Sequence, residues 1–195
     1  MLARQMSSAI VGSTMRQQAM RRIVAINGAR LASTKTNAPT VDPILYTASA
    51  TSTGSRASGT AETKQGNLSV KTQFPKELGG KDHTQGTTDP EQLFALAYGT
   101  CFLSALGATH KELSPSLAPL PKSTQVRTHV SIGKPSNGLP GFLLSVKIEV
   151  LLGPLKEVGL DQAAARKLIE GAHKLCPYSR ALAGNIETTI TLVEK

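Results

Sequence analysis

The sequence predicts an α+β fold with antiparallel strand pairing, in the order β-β-β-α-β-β-α-β. Three observations predict it. Strand-like segments come in neighbours separated by short turn-forming stretches, the mark of hairpins. Between two such groups lies Leu93 to Ala108, a run of 16 uncharged residues too long and too uniformly apolar for a half-exposed strand. A second helical stretch carries Ala164, Leu168, Ala172 and Leu175 on one stripe.

Taken in order, Ile44 to Thr51 is the first expected strand, with Tyr46, Ala48 and Ala50 alternating against small polar residues. Gly54-Ser55-Arg56 interrupts it as a turn. Two more strands are expected over Arg56 to Thr63 and Asn67 to Thr72, broken at Gln65-Gly66. A loop then runs through Gly79-Gly80 to Thr88. At Asp89-Pro90-Glu91 a helix starts: Asp89 caps it, Pro90 suits the first helical position, and Glu91 complements the positive end of the dipole. Its apolar residues fall on nearly every face, so it is expected to be buried all round. Pro115 to Pro121 is a connection. Val126 to Ile132 and Phe142 to Leu152 form two strands around a turn at Gly133 to Gly141. Asp161 caps the second helix, Pro177 ends it, and Ile186 to Val193 alternates as the last strand.

The formal charge of +9 invites a nucleic-acid reading, but its distribution argues otherwise. Six basic residues (Arg4, Arg16, Arg21, Arg22, Arg30 and Lys35) lie in the first 40 positions, where no Asp or Glu occurs. The rest holds 16 basic and 13 acidic residues, a net of +3. With no Trp and 4% aromatic residues, the chain offers no platform for stacking bases. An acid-free, Arg-bearing, Ser-containing leader is the pattern of a mitochondrial transit peptide. The expected organisation is a leader over residues 1–31, cut near Ala32, a polar linker over 32–43 and one domain over 44–195 in the mitochondrial matrix. No membrane association is expected, since the longest uncharged run falls short of the ~20 residues that span a bilayer.

Two cysteines in 195 residues do not make a disulfide framework. Cys101 lies inside the apolar helix and reads either as packing material or as a reagent. Cys176 sits before Pro177, at a helix boundary. In a reducing compartment such a pair points to catalysis or metal binding rather than a staple. Metal has little support: of His83, His110, His129 and His173, only His173 has a cysteine near it in sequence, and there is no CxxC. A Cys-His hydrolase stays open on spacing alone. If Cys101 is a reagent, its ionisation is a problem. It lies about three turns into its helix, beyond the reach of the dipole, and apolar surroundings raise a thiol's pKa. A cation must be brought in. Arg56, in its turn, is suited to bridge a carboxylate and a thiolate, although alone it reads as a solvated turn residue.

The segments YTASATSTGSR, NLSVKTQFPKELGG, TTDPEQLFALAYGTCF and HKLCPYSRALAGNIETTITLV, in that order, resemble the organic hydroperoxide resistance (Ohr) branch of the OsmC-like peroxidases. The likeness runs from about Leu45 to Val193, and PKELGG and CPYS favour the Ohr branch. The resemblance implies an OsmC-like fold, with sheets packed on two long core helices in an intertwined homodimer. It implies a peroxidase that prefers organic hydroperoxides and is re-reduced by dihydrolipoyl thiols or a lipoylated protein, with no metal, flavin or haem. On that pattern Cys101 is the peroxidatic cysteine and Cys176 the resolving one. Arg56 holds the thiolate and Glu91 orients Arg56. Phe94, Phe102 and Tyr178 are the expected apolar walls of the substrate pocket. Three positions depart from the pattern: Ser55 stands where a glycine is expected, and Arg180 and Ala183 replace an asparagine and an arginine.

Glu91 and Cys101 are ten residues apart, ~15 Å along a continuous helix, too far to meet in one chain. Two antiparallel copies of the helix remove the conflict by placing Glu91 of one chain near Cys101 of the other. The rival readings are an OsmC-type peroxidase with broader peroxide use and a non-enzymatic mitochondrial binding protein with incidental cysteines.

Overall fold

The computed structural model describes residues 40–194. The expected leader therefore lies outside the described residues, as does most of the linker. The chain divides into two units, Met1–Thr47 and Ala48–Lys195, and every helix and strand described belongs to the second.

The second unit begins with β1 (Ala50–Gly54), β2 (Ser58–Thr63) and β3 (Ser69–Gln73), an antiparallel meander extended by a two-residue strand β4 (Thr87–Thr88) that runs parallel to β3. The first strand therefore begins at Ala50, not Ile44 as the alternation suggested. Its register is set by the turn at residues 54–58, so pairing starts with Gly54 opposite Gly59 and ends with Ala50 opposite Thr63. Gly54 has φ +80°, and a Cβ there would lie 2.6 Å from the Ser58 carbonyl oxygen, so the turn requires glycine. None of the residues of β1, β2 or β3 is buried. One face, bearing Gly59, Ala61, Val70 and Thr72, is only half-covered. This sheet is an arm with an unfilled inner face.

The rest of the unit is a packed body. Helix α1 (Pro90–Leu113) starts as expected: the Asp89 carboxylate accepts from the Gln92 amide at 2.8 Å, and Pro90 occupies the first turn. It packs on a sheet of order β5-β6-β7, formed by Val126–Gly133, Leu143–Leu151 and Glu187–Val193. Close approach is possible because α1 carries Gly99 over β5: a Cβ there would lie 2.9 Å from Thr128 Oγ1. Strand β6 is central and sends Val146, Ile148 and Val150 into the core, where they join Tyr98, Phe102 and Leu106 of α1.

Three departures from the sequence reading concern this body. First, β7 runs parallel to β6, not antiparallel. The intervening chain is helical, forming α2 (Leu152–Glu157), α3 (Gln162–Leu175) and α4 (Pro177–Leu182), and a helical crossover returns a strand in the parallel sense. Second, the second helix ends just before Pro177 as expected, at Leu175, but Pro177 does not end the helical region. Its fixed φ opens α4 after a single extended residue, Cys176. Third, α1 is not buried all round within this chain. Gln92, Leu96, Thr100 and Leu103 form an open stripe, with Leu96 69% exposed. At 24 residues the helix has the length and composition to cross a membrane, yet here Tyr98, Phe102 and Leu106 are fully enclosed by the body.

Candidate active site

Cys101 and Cys176 come together. Cys101 is half-buried in mid-α1, and Cys176 is fully buried where α3 gives way to α4. Cys176 donates its amide to the Ala172 carbonyl at 2.8 Å and then turns extended (φ −62°, ψ 122°), which directs its side chain back onto α1. The two Sγ atoms are 3.4 Å apart, both thiols free. Burial pushes the Cys101 thiol above its ordinary range. The Tyr178 backbone amide acts in the opposite sense, and the neighbouring Cys176 adds to the rise.

Arg56 and Glu91 also come together, but elsewhere. Arg56 Nη2 donates to Glu91 Oε2, closing an ion pair between the β1–β2 turn and the first turn of α1. The guanidinium lies 5.8 Å from the centre of the Phe74 ring, at the edge of cation–π range. Glu91 is held on a firm base, since Asp89 caps the helix and His83 Nε2 lies 3.2 Å from the Asp89 carboxylate. The helix between Glu91 and Cys101 is unbroken, so ~15 Å separates the two pairs along the axis. Neither Arg56 nor Glu91 is among the groups that shift the Cys101 thiol.

The other expected positions divide. Phe94 and Tyr178 lie in one aromatic cluster with Tyr98, at centroid distances of 5.9 Å (Phe94–Tyr98), 6.1 Å (Phe94–Tyr178) and 5.8 Å (Tyr98–Tyr178). Phe102 is fully buried as a member of the core cluster, so it presents no exposed surface in this chain. Ser55 introduces no left-handed strain, as no described residue other than glycine has positive φ. Its hydroxyl instead accepts from the Ser58 amide at 3.1 Å, tying the Arg56 turn across its base. Arg180 and Ala183 are exposed. Among the described residues, no three His, Cys, Asp or Glu side chains are grouped to hold a metal ion.

Two features escaped sequence reasoning. Tyr98 and Ser179 are both buried, and Tyr98 Oη lies 2.8 Å from Ser179 Oγ. The signal was available in part: Tyr98 precedes Cys101 by three residues, one turn away on the same face. Beside the open stripe of α1 runs a groove of about 510 Å³, lined by Leu96, Gly99, Leu103 and Thr128 among others.

A family model described as OsmC-like protein matches residues 80–191. The chain belongs to the OsmC-like family. Within it, this OsmC-like protein is 37% identical over 151 residues to an organic hydroperoxide resistance protein of Xanthomonas axonopodis pv. citri, covering 77% of this chain and 96% of that one. It is 34% identical over 149 residues to the organic hydroperoxide resistance protein OhrB of Bacillus subtilis, covering 76% and 98%. The solved structure of OhrB superimposes with a TM-score of 0.62 at 33% identity, covering 77% of this chain and 100% of the other. A Vibrio cholerae structure, described as an organic hydroperoxide resistance protein with captopril in one of its active sites, gives 0.63 at 33% identity over 80% and 95%. The OsmC-like fold is thus that of the α+β Ohr structures, with mixed rather than purely antiparallel sheets.

Proposed function

We propose that this protein is a thiol-dependent peroxidase that reduces organic hydroperoxides to alcohols. The observation that carries the reading is the 3.4 Å approach of the Cys101 and Cys176 sulfurs, one half-exposed and the other buried. A pair of incidental core cysteines has no reason to meet across two helices with both thiols free. The relatives' names supply the substrate class.

In the proposed cycle the Cys101 thiolate attacks the distal peroxide oxygen. The O–O bond breaks, the alkoxide leaves as an alcohol after gaining a proton, and Cys101 becomes a sulfenic acid. Cys176 attacks that sulfur, water departs, and the sulfurs close from 3.4 Å to a bond of about 2.05 Å. A dithiol then reduces the disulfide by exchange. Assigning that role to a dihydrolipoyl thiol or lipoylated protein rests on the sequence resemblance alone, as does delivery to mitochondria by residues 1–31.

The cation is the remaining requirement. The thiolate form needs a positive charge, and the Arg56–Glu91 pair of the same chain sits too far along α1 to supply it. We therefore assign it to a second copy in a homodimer. Two features support this: the arm of β1–β3 has a face that its own chain only half covers, and α1 presents an open stripe with Leu96 and Leu103 exposed. A partner arm would bring its Arg56 to Cys101, where the planar fork spans thiolate and Glu91 and steadies charge on the leaving oxygen.

Rapid mixing with sub-stoichiometric cumene hydroperoxide tests the reading. Cys101→Ser should consume no peroxide, whereas Cys176→Ser should react once and fail to turn over with a dithiol. Wild-type consumption by Cys101→Ser would overturn the assignment. Retention of both free thiols in oxidant-treated wild type would favour the non-enzymatic binder.

A further inference from the structure

We infer that Tyr98 and Ser179 form a clamp that sets the resolving step, holding Cys176 within reach of Cys101. The inference rests on the two-cysteine reading above and adds two positioning residues to it. Helix α4 follows Cys176 directly and is only six residues long. Ser179 is its sole buried residue, while Pro177, Tyr178, Arg180 and Ala181 are exposed. Tyr178 stacks on Phe94 and Tyr98 of α1 and Leu182 packs against the core, and to these non-directional contacts the 2.8 Å hydrogen bond between Ser179 Oγ and Tyr98 Oη adds a buried, directional tie between α4 and α1. The attachment is local to the chemistry at both ends: Tyr98 is one helical turn before Cys101, and Ser179 is three residues after Cys176.

Both partners are suited to a fixed geometry. Tyr98 is wholly buried, and its ring stacks on Phe94 and Tyr178, so it has little freedom to rotate away. Burial also pushes its phenol above the ordinary range, which keeps it a neutral hydrogen-bonding group. A hydrogen bond between two buried hydroxyls is directional; the Thr188 side chain also acts on the Tyr98 phenol, while burial keeps water from replacing the Ser179 bond. The clamp serves two purposes. It sets the approach of the Cys176 sulfur, and it places the Tyr178 amide where it acts on the Cys101 thiol. Neither residue exchanges a proton with the substrate.

The test separates oxidation from closure. The full chain, reduced, is mixed with one equivalent of cumene hydroperoxide in the presence of dimedone, which captures sulfenic acid before it condenses. Mass spectrometry gives the ratio of dimedone adduct to disulfide. Tyr98→Phe keeps the ring stack and removes one oxygen, and Ser179→Ala removes the other partner. In each, closure should slow roughly fivefold, the size of one lost buried hydrogen bond, so the adduct-to-disulfide ratio rises by the same factor. The double variant should be no worse than either single one, and Ser179→Thr, which keeps a hydroxyl, should regain most of the closure rate. A merely structural loss would lower both products together. Should Ser179→Ala fail to fold, Tyr98→Phe decides alone. An unchanged ratio in folded Tyr98→Phe, or additive effects in the double variant, would overturn the clamp. A wild type that forms no Cys101–Cys176 disulfide would remove the peroxidase reading and the clamp with it.

Discussion

Mix Cys101→Ser chains with Arg56→Ala chains, unfold them and refold them together. Each parent dimer should be inactive, one lacking the sulfur and the other its cation. The outcome for the mixture follows from the geometry of α1. Glu91 and Cys101 lie on one continuous helix, ten residues and therefore ~15 Å apart, and Arg56 is paired to Glu91. A cation fixed at Glu91 is too far along the helix to serve the sulfur of its own chain, so in the proposed homodimer each site draws Arg56 from the partner. In a mixed dimer one site then receives an intact Cys101 with an intact Arg56, and the other receives both lesions. Random pairing makes half the dimers mixed, so activity should return to about a quarter of wild type. The assay is steady-state consumption of cumene hydroperoxide with a dithiol reductant, alongside native mass spectrometry to count mixed dimers. If the site were built from one chain, every site would carry a lesion and the mixture would stay silent. Confirmed mixed dimers without recovery would refute the composite site.

Other expectations follow from the same arrangement. Arg56→Lys keeps the charge but loses the planar fork, and the first oxidation should slow roughly 10–100-fold in stopped-flow traces; an unchanged rate would reduce Arg56 to a turn residue. In Arg56→Ala the Cys101 thiol keeps the net rise set chiefly by burial and loses the proposed cation, so the midpoint of its reaction with iodoacetamide should move to higher pH. The sign for stability follows: the fold favours the protonated thiol, so that contribution is complete below the unfolded value of ~8.5 and declines as pH climbs beyond it, readable as a falling Tm. Leu96→Arg places a charge on the open stripe of α1, 69% exposed in one chain, and loses the burial of one leucine per chain. Dimer dissociation should strengthen by about a hundredfold or more, measured by sedimentation, and persistence of a wild-type dimer would exclude this face from the interface. Deleting residues 1–31 should leave peroxide reduction intact and abolish mitochondrial recovery after cell fractionation; continued import would assign the address elsewhere.

What the sequence could reveal was set by whether the signal was local. The start of α1 was legible because Asp89, Pro90 and Glu91 each act on the first turn they belong to. The capping of α3 by Asp161 was legible for the same reason. The direction of β7 was not, since alternation in Ile186 to Val193 is identical for parallel and antiparallel pairing, and only the crossover through α2, α3 and α4 decides it. The short helix α2 was hidden inside a run that continued the hydrophobic pattern of β6. At the site, Cys101, Cys176, Arg56 and Glu91 could be named one by one, and the helix spacing could forbid Glu91 from meeting Cys101. The full burial of Phe102 beside the half-buried Cys101 was not legible, because on a helix the next residue points about 100° around the axis and an apolar residue can face either way. The Tyr98–Ser179 bond joins residues 81 apart, and no local pattern announces it.

The separation of reagent and activator along α1 has a chemical consequence. A thiol that carries its own cation is ionised whenever the chain is folded, and so is open to oxidation before assembly. Here burial is the largest influence on Cys101 in the single chain, and with Cys176 it outweighs the Tyr178 amide and favours the protonated, unreactive form. In the proposed homodimer ionisation waits for the partner's arm, and the same event would cover the exposed Leu96 stripe and the half-covered face of β2 and β3. On that proposal dimerisation and activation would be one step driven by apolar burial. The same proposal gives the unbroken helix between Glu91 and Cys101 a role: shortening it would bring the cation home and uncouple reactivity from assembly.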